Sequence, residues 1–331
     1  MNTNEGHTGL INGRLTKIFI SADYGNPGDM AFAEVDAELD HHAPFVGVPR
    51  KELHVPPFMT LSNSMVLAQT LNGVLGRGQH DVCEGTLLYH NVAPRKDDMS
   101  VRVANRGEQF YFAKVRDKAV FIAGPASGFS WSMLVGFPID IYDLPITKEG
   151  SQFRSRDYFP TMIADVLTGV VSLDHLERVD SSAIPPLPSN QVAYVDGFGN
   201  IKLTAGRLSL PAGEEVTVSL QVPYEKDNGM LGHQVVEHPA VIAHDSFAVS
   251  EGQLAYSMGS SSLCGSPAAE LFLRGGSAAK LYGLHPRHLT DEMTMTIRHN
   301  GDVVQPAPLD GSTISTQASG DQPSRANVLA G

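Results

Sequence analysis

The sequence predicts two unlike parts, an α/β domain over residues 16–180 and a mostly β, barrel-like domain over residues 191–300. Segments typical of strands and of helices alternate through the first part, and this alternation favours α/β layering. Residues 181–190 are rich in proline, which continues neither a helix nor a central strand, so they are predicted to form a linker. Strand-type runs dominate beyond it. A chain of 331 residues is long enough for two domains with their own cores.

The first part is predicted to follow a polar leader, residues 1–15, and to begin with a short buried strand. Asp23 comes directly after this strand, where α/β sheets place their ligand sites. Gly169 is expected to end the last helix. In chain order, the expected strands are residues 17–21, 85–90, 100–104 and 119–122, and the expected helices are residues 30–39, 62–71 and 159–167.

The second part is predicted to consist of short strands, because β-branched and apolar residues recur in runs bounded by turn residues. These runs are residues 192–195, 215–222, 240–249 and 293–299. Residues 301–331 are rich in Ser, Gln, Pro, Gly and Asp and have little to bury. This composition predicts a disordered tail.

The composition is that of an ordinary soluble globular protein, with 42% hydrophobic and 18% charged residues. The formal net charge of -12 argues against a nucleic-acid or anionic-membrane surface, whereas a cationic small ligand is compatible with it. No apolar run approaches the roughly 20 residues of a membrane span and the N-terminus is not signal-like, so a cytoplasmic protein is expected. Cys83 and Cys264 lie far apart, and the adjacent His41 and His42 point in different directions, so no metal site is predicted.

Residues 195–200 carry the most informative chemistry in the chain. A strand-type run breaks there into Asp196, Phe198 and Asn200, which are separated by glycines. A carboxylate, an aromatic face and an amide that both donates and accepts suit a nucleoside-like ligand with a positive charge. The alternative is an ordinary strand followed by a glycine-containing turn.

Five further segments join this turn: Asp-Tyr-Gly at residues 23–25, His-Val-Pro-Pro-Phe at 54–58, Gly-Pro-Ala-Ser-Gly at 124–128, Phe-Arg-Ser-Arg-Asp-Tyr-Phe at 153–159, and Glu-Leu-Phe-Leu-Arg-Gly-Gly-Ser-Ala-Ala at 270–279. Their order and spacing resemble the S-adenosylmethionine hydrolases (hydroxide adenosyltransferases) and the related fluorinases and chlorinases. The family motifs read approximately TDFG, HxIPPF, GPDNG, F-H/Y-G/S-R-D/E-x-F-A-P, DxFGN and NSxGYLEIAxNxGSAA. The resemblance covers about residues 17–285.

The resemblance implies a homotrimer that needs no cofactor, with the adenosyl substrate between the first domain of one subunit and the second domain of its neighbour. Asp23 would hold the ribose diol, and Phe58 would pack on the sugar or the adenine. Asp196 would pair with the ammonium of the methionine part, and the backbone near Gly275 would hydrogen-bond the base edge. The remaining expected substrate contacts are Phe198 and Asn200 on adenine, Ser261 and Ser266 as hydroxyl donors, and Tyr89 and Phe153.

Three acidic or aromatic positions in these motifs keep a structural alternative. Asp23 can be a turn or helix-cap acid, since it stands at the end of a strand. Phe58, which follows two prolines, can belong to the core. Asp157 precedes an apolar helix and fits a helix-start acid that faces the dipole better than it fits a catalyst.

S-adenosylmethionine is a sulfonium, so displacement at its 5′ carbon releases a neutral thioether and mainly requires an aligned, desolvated nucleophile. A water nucleophile must also be oriented or deprotonated. The hydrolases do this with an Asp-Arg-His set. Here His90 or Asn91 replaces the acid, Arg95 takes the place of the arginine, and Arg154 replaces the histidine. The usual set is therefore not intact, and His90 is either a substitute base or a structural residue.

Ser155 replaces a glycine of the hydrolases and matches the serine with which the halogenating relatives bind halide. A hydroxyl can replace part of the hydration shell of an anion, although a serine here can also be a helix cap. The charged Arg154 beside it can bind a carboxylate or a larger anion. Tyr89 matches the tyrosine of the halogenases only with a shift along the sequence. In the C-terminal motif the family tyrosine is missing, and serines such as Ser261 are the remaining hydroxyl donors.

The favoured function is displacement on S-adenosylmethionine by water, which gives adenosine and methionine. The predicted catalytic residues are His90, Arg95, Arg154 and Ser155. Halide as the nucleophile is the nearest alternative. A non-catalytic protein that binds adenosyl compounds or nucleosides is the third possibility.

Overall fold

The computed structural model describes residues 9–11, 14–25, 28–76, 83–92, 108–145, 153–245, 247–263, 266–285 and 289–309. Within these ranges the chain forms two sheets, each with parallel and antiparallel pairs, and contains more strand than helix. The predicted strand over residues 100–104 lies outside the described residues. So do Arg95 and the part of the predicted tail from residue 310 onward.

The first sheet brings the ends of parallel strands to one edge. Its order is β2-β1-β3-β5-β4-β6-β7, and β2, β1, β3 and β5 run parallel. Ala22 at the end of β1 lies beside Asn91 at the end of β3, so Asp23 and Asn91 occupy the same edge. The strands are β1 (Lys17–Ala22), β2 (Arg50–His54), β3 (Thr86–Asn91), β4 (Phe110–Val115), β5 (Val120–Pro125), β6 (Ile139–Leu144) and β7 (Glu177–Arg178).

Helices cover both faces of this sheet. The helices α1 (Met30–Leu39) and α4 (Phe159–Thr168) share one apolar core with Tyr89 of β3. The helix α2 (Thr60–Leu75) shares the other core with Leu88. Because successive side chains of a strand point to opposite faces, neighbouring residues of β3 enter different cores. A single turn, α3 (Arg154–Asp157), precedes α4.

The second sheet has the order β15-β14-β10-β11-β12-β13-β9-β8 and encloses its own apolar core, to which the short helix α5 (Ala278–Leu281) adds Ala278 and Ala279. Residues at the centre of β10 and β14, such as Leu220 and Ile297, face this core. The strands are β8 (Val192–Val195), β9 (Ile201–Leu203), β10 (Glu215–Glu225), β11 (Leu231–Ala243), β12 (Leu254–Leu263), β13 (Ser266–Leu273), β14 (Met295–His299) and β15 (Asp302–Val304).

The start of α2 joins the two sheets. Asp291 accepts hydrogen bonds from the backbone N–H groups of Thr60 (2.9 Å) and Leu61 (3.0 Å), so an acid of the second part caps a helix of the first. Ser62 donates to the carbonyl of Ala193 at 2.6 Å, and Met59 is buried in the second core. These contacts fix the turn that precedes α2.

Most predicted elements are confirmed, and the differences have identifiable causes. The helix over residues 30–39 is observed as predicted, and Gly169, with φ of 82°, ends α4. The strand predicted over residues 240–249 is wrong in its bounds, because β11 starts at Leu231 and ends at Ala243. The predicted tail is wrong for residues 301–309, where β15 pairs with β14 and Leu309 is buried. Eight strands were not predicted, namely β2, β4, β6, β7, β9, β12, β13 and β15.

Candidate functional site

Ser155 lies at the centre of a hydrogen-bonded group at the edge where β1 and β3 end. Its side chain is almost fully buried, and its Oγ accepts from the phenol of Tyr24 (2.8 Å) and from Nδ2 of Asn91 (3.1 Å). The phenol of Tyr89 donates to the backbone carbonyl of Ser155 at 2.7 Å and so holds α3 against the sheet. Among the described residues, no acceptor receives the hydroxyl proton of Ser155.

Aromatic rings surround this group. Tyr24 packs edge to face against Phe32, with ring centroids 5.0 Å apart, and against Phe153 at 5.7 Å. The guanidinium of Arg156 lies over the ring of Phe153, 5.1 Å from its centroid. Burial raises the pKa of both Tyr24 and Tyr89. Both phenols are therefore neutral donors near pH 7, and neither is a base.

Asp23 and Phe58 form a second feature at the same edge. The carboxylate of Asp23 accepts a hydrogen bond from the backbone N–H of Phe58 at 2.9 Å. Phe58 has φ of 63°, a left-handed conformation that costs a bulky residue about 1–3 kcal/mol, and its side chain is 42% exposed. The structure thus brings Asp23 and Phe58 together, as the sequence predicted, and Phe58 is not a core residue.

His90 does not belong to the Ser155 group. It points to the opposite face of the sheet, where its Nδ1 accepts from Nδ2 of Asn63 (3.1 Å) and its ring packs against Trp131. Asn63 in turn accepts from Ser21 at 2.8 Å. Burial lowers the pKa of His90 to about 3, so the ring is neutral at ordinary pH. The geometry corrects the prediction of His90 as a substitute base: it is a buried structural residue.

The Nε2 atom of His90 is buried without a partner in the described part of the chain. It faces Gly124, where an added Cβ would lie 2.3 Å from Nε2 and Cδ2 of the ring. The first residue of the Gly-Pro-Ala-Ser-Gly motif, Gly124, must therefore be a glycine, because a side chain there would collide with the His90 ring.

Arg154 is held by an acid rather than offered to a ligand. Its guanidinium lies 3.5 Å from the carboxylate of Glu108, and both side chains are largely buried. It also lies over the ring of Phe159, 5.9 Å from the centroid. The pair neutralises much of the positive charge that the sequence assigned to the site. Arg95, the other predicted arginine, lies outside the described residues.

The Asp196 turn is held together largely by its own hydrogen bonds. One oxygen of Asp196 accepts from the backbone N–H groups of Phe198 and Asn200, both at 2.9 Å, and the other accepts from Nδ2 of Asn200 at 3.0 Å. The buried ammonium of Lys202 lies 3.5 Å from the carboxylate and also pairs with Glu270. Sequence reasoning missed Lys202 and Glu270. Lys202 could have been identified as a partner of Asp196, because it follows the Asp-Gly-Phe-Gly-Asn turn by two residues.

The turn and the Gly275–Ala279 segment meet, as the resemblance implies. The backbone N–H of Ala279 donates to the carbonyl of Gly199 at 2.9 Å. Gly199 has φ of 84°, and an added Cβ there would collide with the side chain of Ser277. Gly275, with φ of 74°, turns the chain after β13. Phe198 projects from this surface with 84% of its area exposed.

The two predicted serine donors lie on the β12–β13 hairpin. Ser261 is a partly buried residue of β12, and Ser266 begins β13 opposite Leu263. The described contacts of Asp196, Phe198 and Asn200 all stay within the second part of the chain. The structure therefore shows two separate groups of predicted site residues, one around Ser155 and Asp23 and one around Asp196.

A cavity of about 730 Å³ lies elsewhere, between residues 181–189, the turn over residues 132–136 and residues of the second part such as Thr204 and Leu263. Its lining is mostly apolar and includes Met133, Ile184, Leu187, Leu263 and Leu309.

No cluster of three or more potential metal ligands occurs within the described ranges. In the same ranges, no helix has the length and apolarity required to cross a membrane.

Comparisons with known proteins give a fold and no family. No protein-family model matches the sequence, and no curated protein matches it either. A crystal structure of an uncharacterized conserved protein from Thermotoga maritima is similar, with a TM-score of 0.57 and 18% sequence identity. The match covers 85% of this chain and 100% of that one. At this identity the similarity concerns the fold alone.

Proposed function

We propose that this protein binds S-adenosylmethionine and catalyses displacement at its 5′ carbon by water, giving adenosine and methionine. The observation that carries the proposal is the buried Ser155 hydroxyl, whose proton has no acceptor among the described residues, at the sheet edge shared with Asp23. Such an edge, at the carboxyl ends of parallel strands, is where open α/β sheets bind ligands. The fold proposed is accordingly an α/β N-terminal domain and a barrel-like C-terminal domain.

The proposed ligand contacts follow from residue type. Asp23 accepts from the ribose hydroxyls, because a carboxylate can accept from two vicinal hydroxyl groups. The exposed ring of Phe58 packs on the nucleoside. The strained backbone at Phe58 supports a binding role, since such strain clusters at functional sites. Ser155 donates to the oxygen of the attacking water and thereby aligns it with the 5′ carbon.

Water is preferred to halide because the described part of the site offers little positive charge. Arg154 is paired with Glu108, and Lys202 with Asp196 and Glu270, so an anion would meet mainly hydroxyl dipoles. The formal net charge of -12 adds general repulsion. A neutral nucleophile avoids both costs.

Halide remains a second candidate for a specific reason. The described side chains that contact the Ser155 hydroxyl, Tyr24 and Asn91, include no base, and His90 lies on the other face of the sheet. A water molecule there would lose its proton only after attack has begun. An anionic nucleophile needs no base, and its charge is neutralised as it attacks the sulfonium.

The second wall of the site is proposed to come from a neighbouring copy in a homotrimer. In one chain, Phe198 and the Asp196 turn make no described contact with the Ser155 group. A ring that is 84% exposed is costly to leave in water and suits stacking on a base or packing against a second subunit. Sedimentation of the pure protein tests the assembly: a trimer supports this arrangement, and a monomer at micromolar concentration contradicts it.

The test of function is chromatography of the products formed from S-adenosylmethionine by the pure protein, with and without added chloride or fluoride. Adenosine and methionine above the non-enzymatic background support hydrolysis. A 5′-halo-5′-deoxyadenosine that forms only with added halide favours the second candidate. Intact S-adenosylmethionine with saturable binding contradicts both reactions and leaves a non-catalytic adenosyl-binding protein.

A further inference from the structure

Tyr24 carries a hydroxyl that the phenylalanine at the corresponding position of the family motif lacks. The motif reads TDFG, whereas this chain reads Asp23-Tyr24-Gly25. The hydroxyl is not idle, because it donates to Ser155 Oγ at 2.8 Å. The ring is clamped between Phe32 and Phe153, so the phenol has little freedom to turn away. The added oxygen therefore bonds to Ser155, and the Asn91 side chain lies within hydrogen-bond reach of it as well.

A count of donors and acceptors shows what this bond does. A serine hydroxyl has one proton to donate and two lone pairs that accept. The phenol of Tyr24 and Nδ2 of Asn91 both donate to Ser155, and together they occupy both lone pairs. A phenol is a stronger acid than an aliphatic alcohol, which favours Tyr24 as the donor. Ser155 is then left with its proton alone.

We propose that Tyr24 is a positioning residue that, together with Asn91, commits the Ser155 hydroxyl to donating to the ligand atom at the 5′ position. The inference deepens the proposed function and rests on it for the identity of the ligand. It excludes Ser155 as an acceptor: the group that it holds must offer a lone pair. After hydrolysis the attacking oxygen becomes the 5′ oxygen of adenosine, so adenosine presents that lone pair in a stable form.

The test compares the binding of adenosine and 5′-deoxyadenosine by calorimetry. The two ligands differ in the 5′ oxygen, so the ratio of their dissociation constants reports the bond from Ser155. The proteins are wild type, Tyr24→Phe, Ser155→Ala and the double variant, in a double-mutant cycle. Tyr158→Phe is the matched control, because this partly buried tyrosine follows α3 and its hydroxyl makes no described hydrogen bond. Melting temperatures report folding separately.

We expect wild type and Tyr158→Phe to prefer adenosine by about tenfold, the effect of one good hydrogen bond. Tyr24→Phe should reduce this preference to about threefold or less, since the serine regains a free lone pair and can rotate. Ser155→Ala should abolish it, and adding Tyr24→Phe to Ser155→Ala should change nothing more.

Two results overturn the inference, and they differ from a failure of the function. An unchanged preference in Tyr24→Phe shows that the phenol does not direct the serine. Additive losses in the double variant show that Tyr24 acts independently of Ser155, as a merely structural residue would. If wild type binds neither nucleoside, the proposed function itself fails. If both bind equally well, the placement of Ser155 at the 5′ position is wrong.

Discussion

His90 and Ser155 both hold a buried hydrogen-bond donor without a described acceptor, yet their surroundings differ. His90 is enclosed by fully buried residues, Asn63 and Trp131, and its Nε2 faces the Cα of Gly124. Ser155 is flanked by Tyr24 and Asn91, which are partly exposed at the sheet edge. An unpaired donor therefore points to a ligand only where the fold also provides access. Where it does not, the donor is a cost of packing, about 1–3 kcal/mol.

The largest expected effect concerns the packing around the enclosed His90. Gly124→Ala should lower the free energy of unfolding by about 3 kcal/mol or more, because the new methyl group would overlap the His90 ring. Urea unfolding measures it. Gly73→Ala is the control: Gly73 is exposed within α2, no atom lies within 4 Å of an added Cβ, and the change should stabilise by about 0.5–1 kcal/mol. Equal stability of the Gly124 variant and wild type would contradict the packing described for His90.

The next largest effect concerns Ser155 at the sheet edge. Ser155→Ala should reduce turnover of S-adenosylmethionine by about 100-fold, the usual loss when one preorganised donor is removed. The free energy of unfolding should fall by about 1–3 kcal/mol, because Tyr24 and Asn91 lose their acceptor, but the fold should persist, because Tyr89 still bonds to the backbone carbonyl of residue 155. Product chromatography and thermal unfolding measure the two quantities. A variant with full activity would show that the unpaired hydroxyl has no catalytic role.

The burial of His90 should also affect the pH dependence of stability. The unfolded chain protonates His90 at its ordinary pKa of 6.5, whereas the folded chain does so only near 3. The unfolded state therefore binds more protons between these values, and stability is lost as the pH falls from about 6.5 toward 3. The loss attributable to His90 is at most about 1.4 kcal/mol per pH unit.

His90→Gln is the matched variant for this experiment, since a glutamine oxygen can still accept from Asn63 but does not titrate. Urea unfolding of both proteins between pH 5 and 7 should give a steeper decline for wild type. Parallel curves would mean that the histidine is not buried in the neutral form.

The smallest expected effect concerns Phe58, which contacts Asp23 at the sheet edge. Phe58→Gly should raise the free energy of unfolding by about 1 kcal/mol, because glycine adopts φ near 63° without strain. The same change should weaken adenosine binding by about tenfold, through the lost stacking. Stability and affinity should thus move in opposite directions. A less stable variant, or one with unchanged affinity, would contradict a strained binding residue.

The sequence predicted local elements well where local signals set their ends. The helix over residues 30–39 has Asp29 as its N-cap, and α4 ends at Gly169 in the left-handed conformation. The strand β6 was missed, although Ile139 and Ile141 alternate with polar residues. Residues 301–309 offer only a pair of valines between a glycine and two prolines, too short a signal to predict a strand, and β15 forms there by pairing with β14.

The candidate site was predictable in part. Asp23, Phe58 and Ser155 were identified from motifs, and they lie at or near one sheet edge. The choice between His90 and Asn91 could have been made from alternation along β3, because Tyr89 and Asn91 share one face and His90 takes the other. The bond from Tyr24 to Ser155 could not, since it joins residues 131 positions apart through the packing of α3 on the sheet.

A co-crystal structure with adenosine tests the location and the role of the site most directly. We expect the ribose hydroxyls within hydrogen-bond distance of the Asp23 carboxylate. This placement also puts the 5′ oxygen within about 3 Å of Ser155 Oγ, with Tyr24 still donating to that atom. Adenosine bound elsewhere, for example in the apolar cavity beside Leu187 and Leu309, with Ser155 untouched, would contradict it.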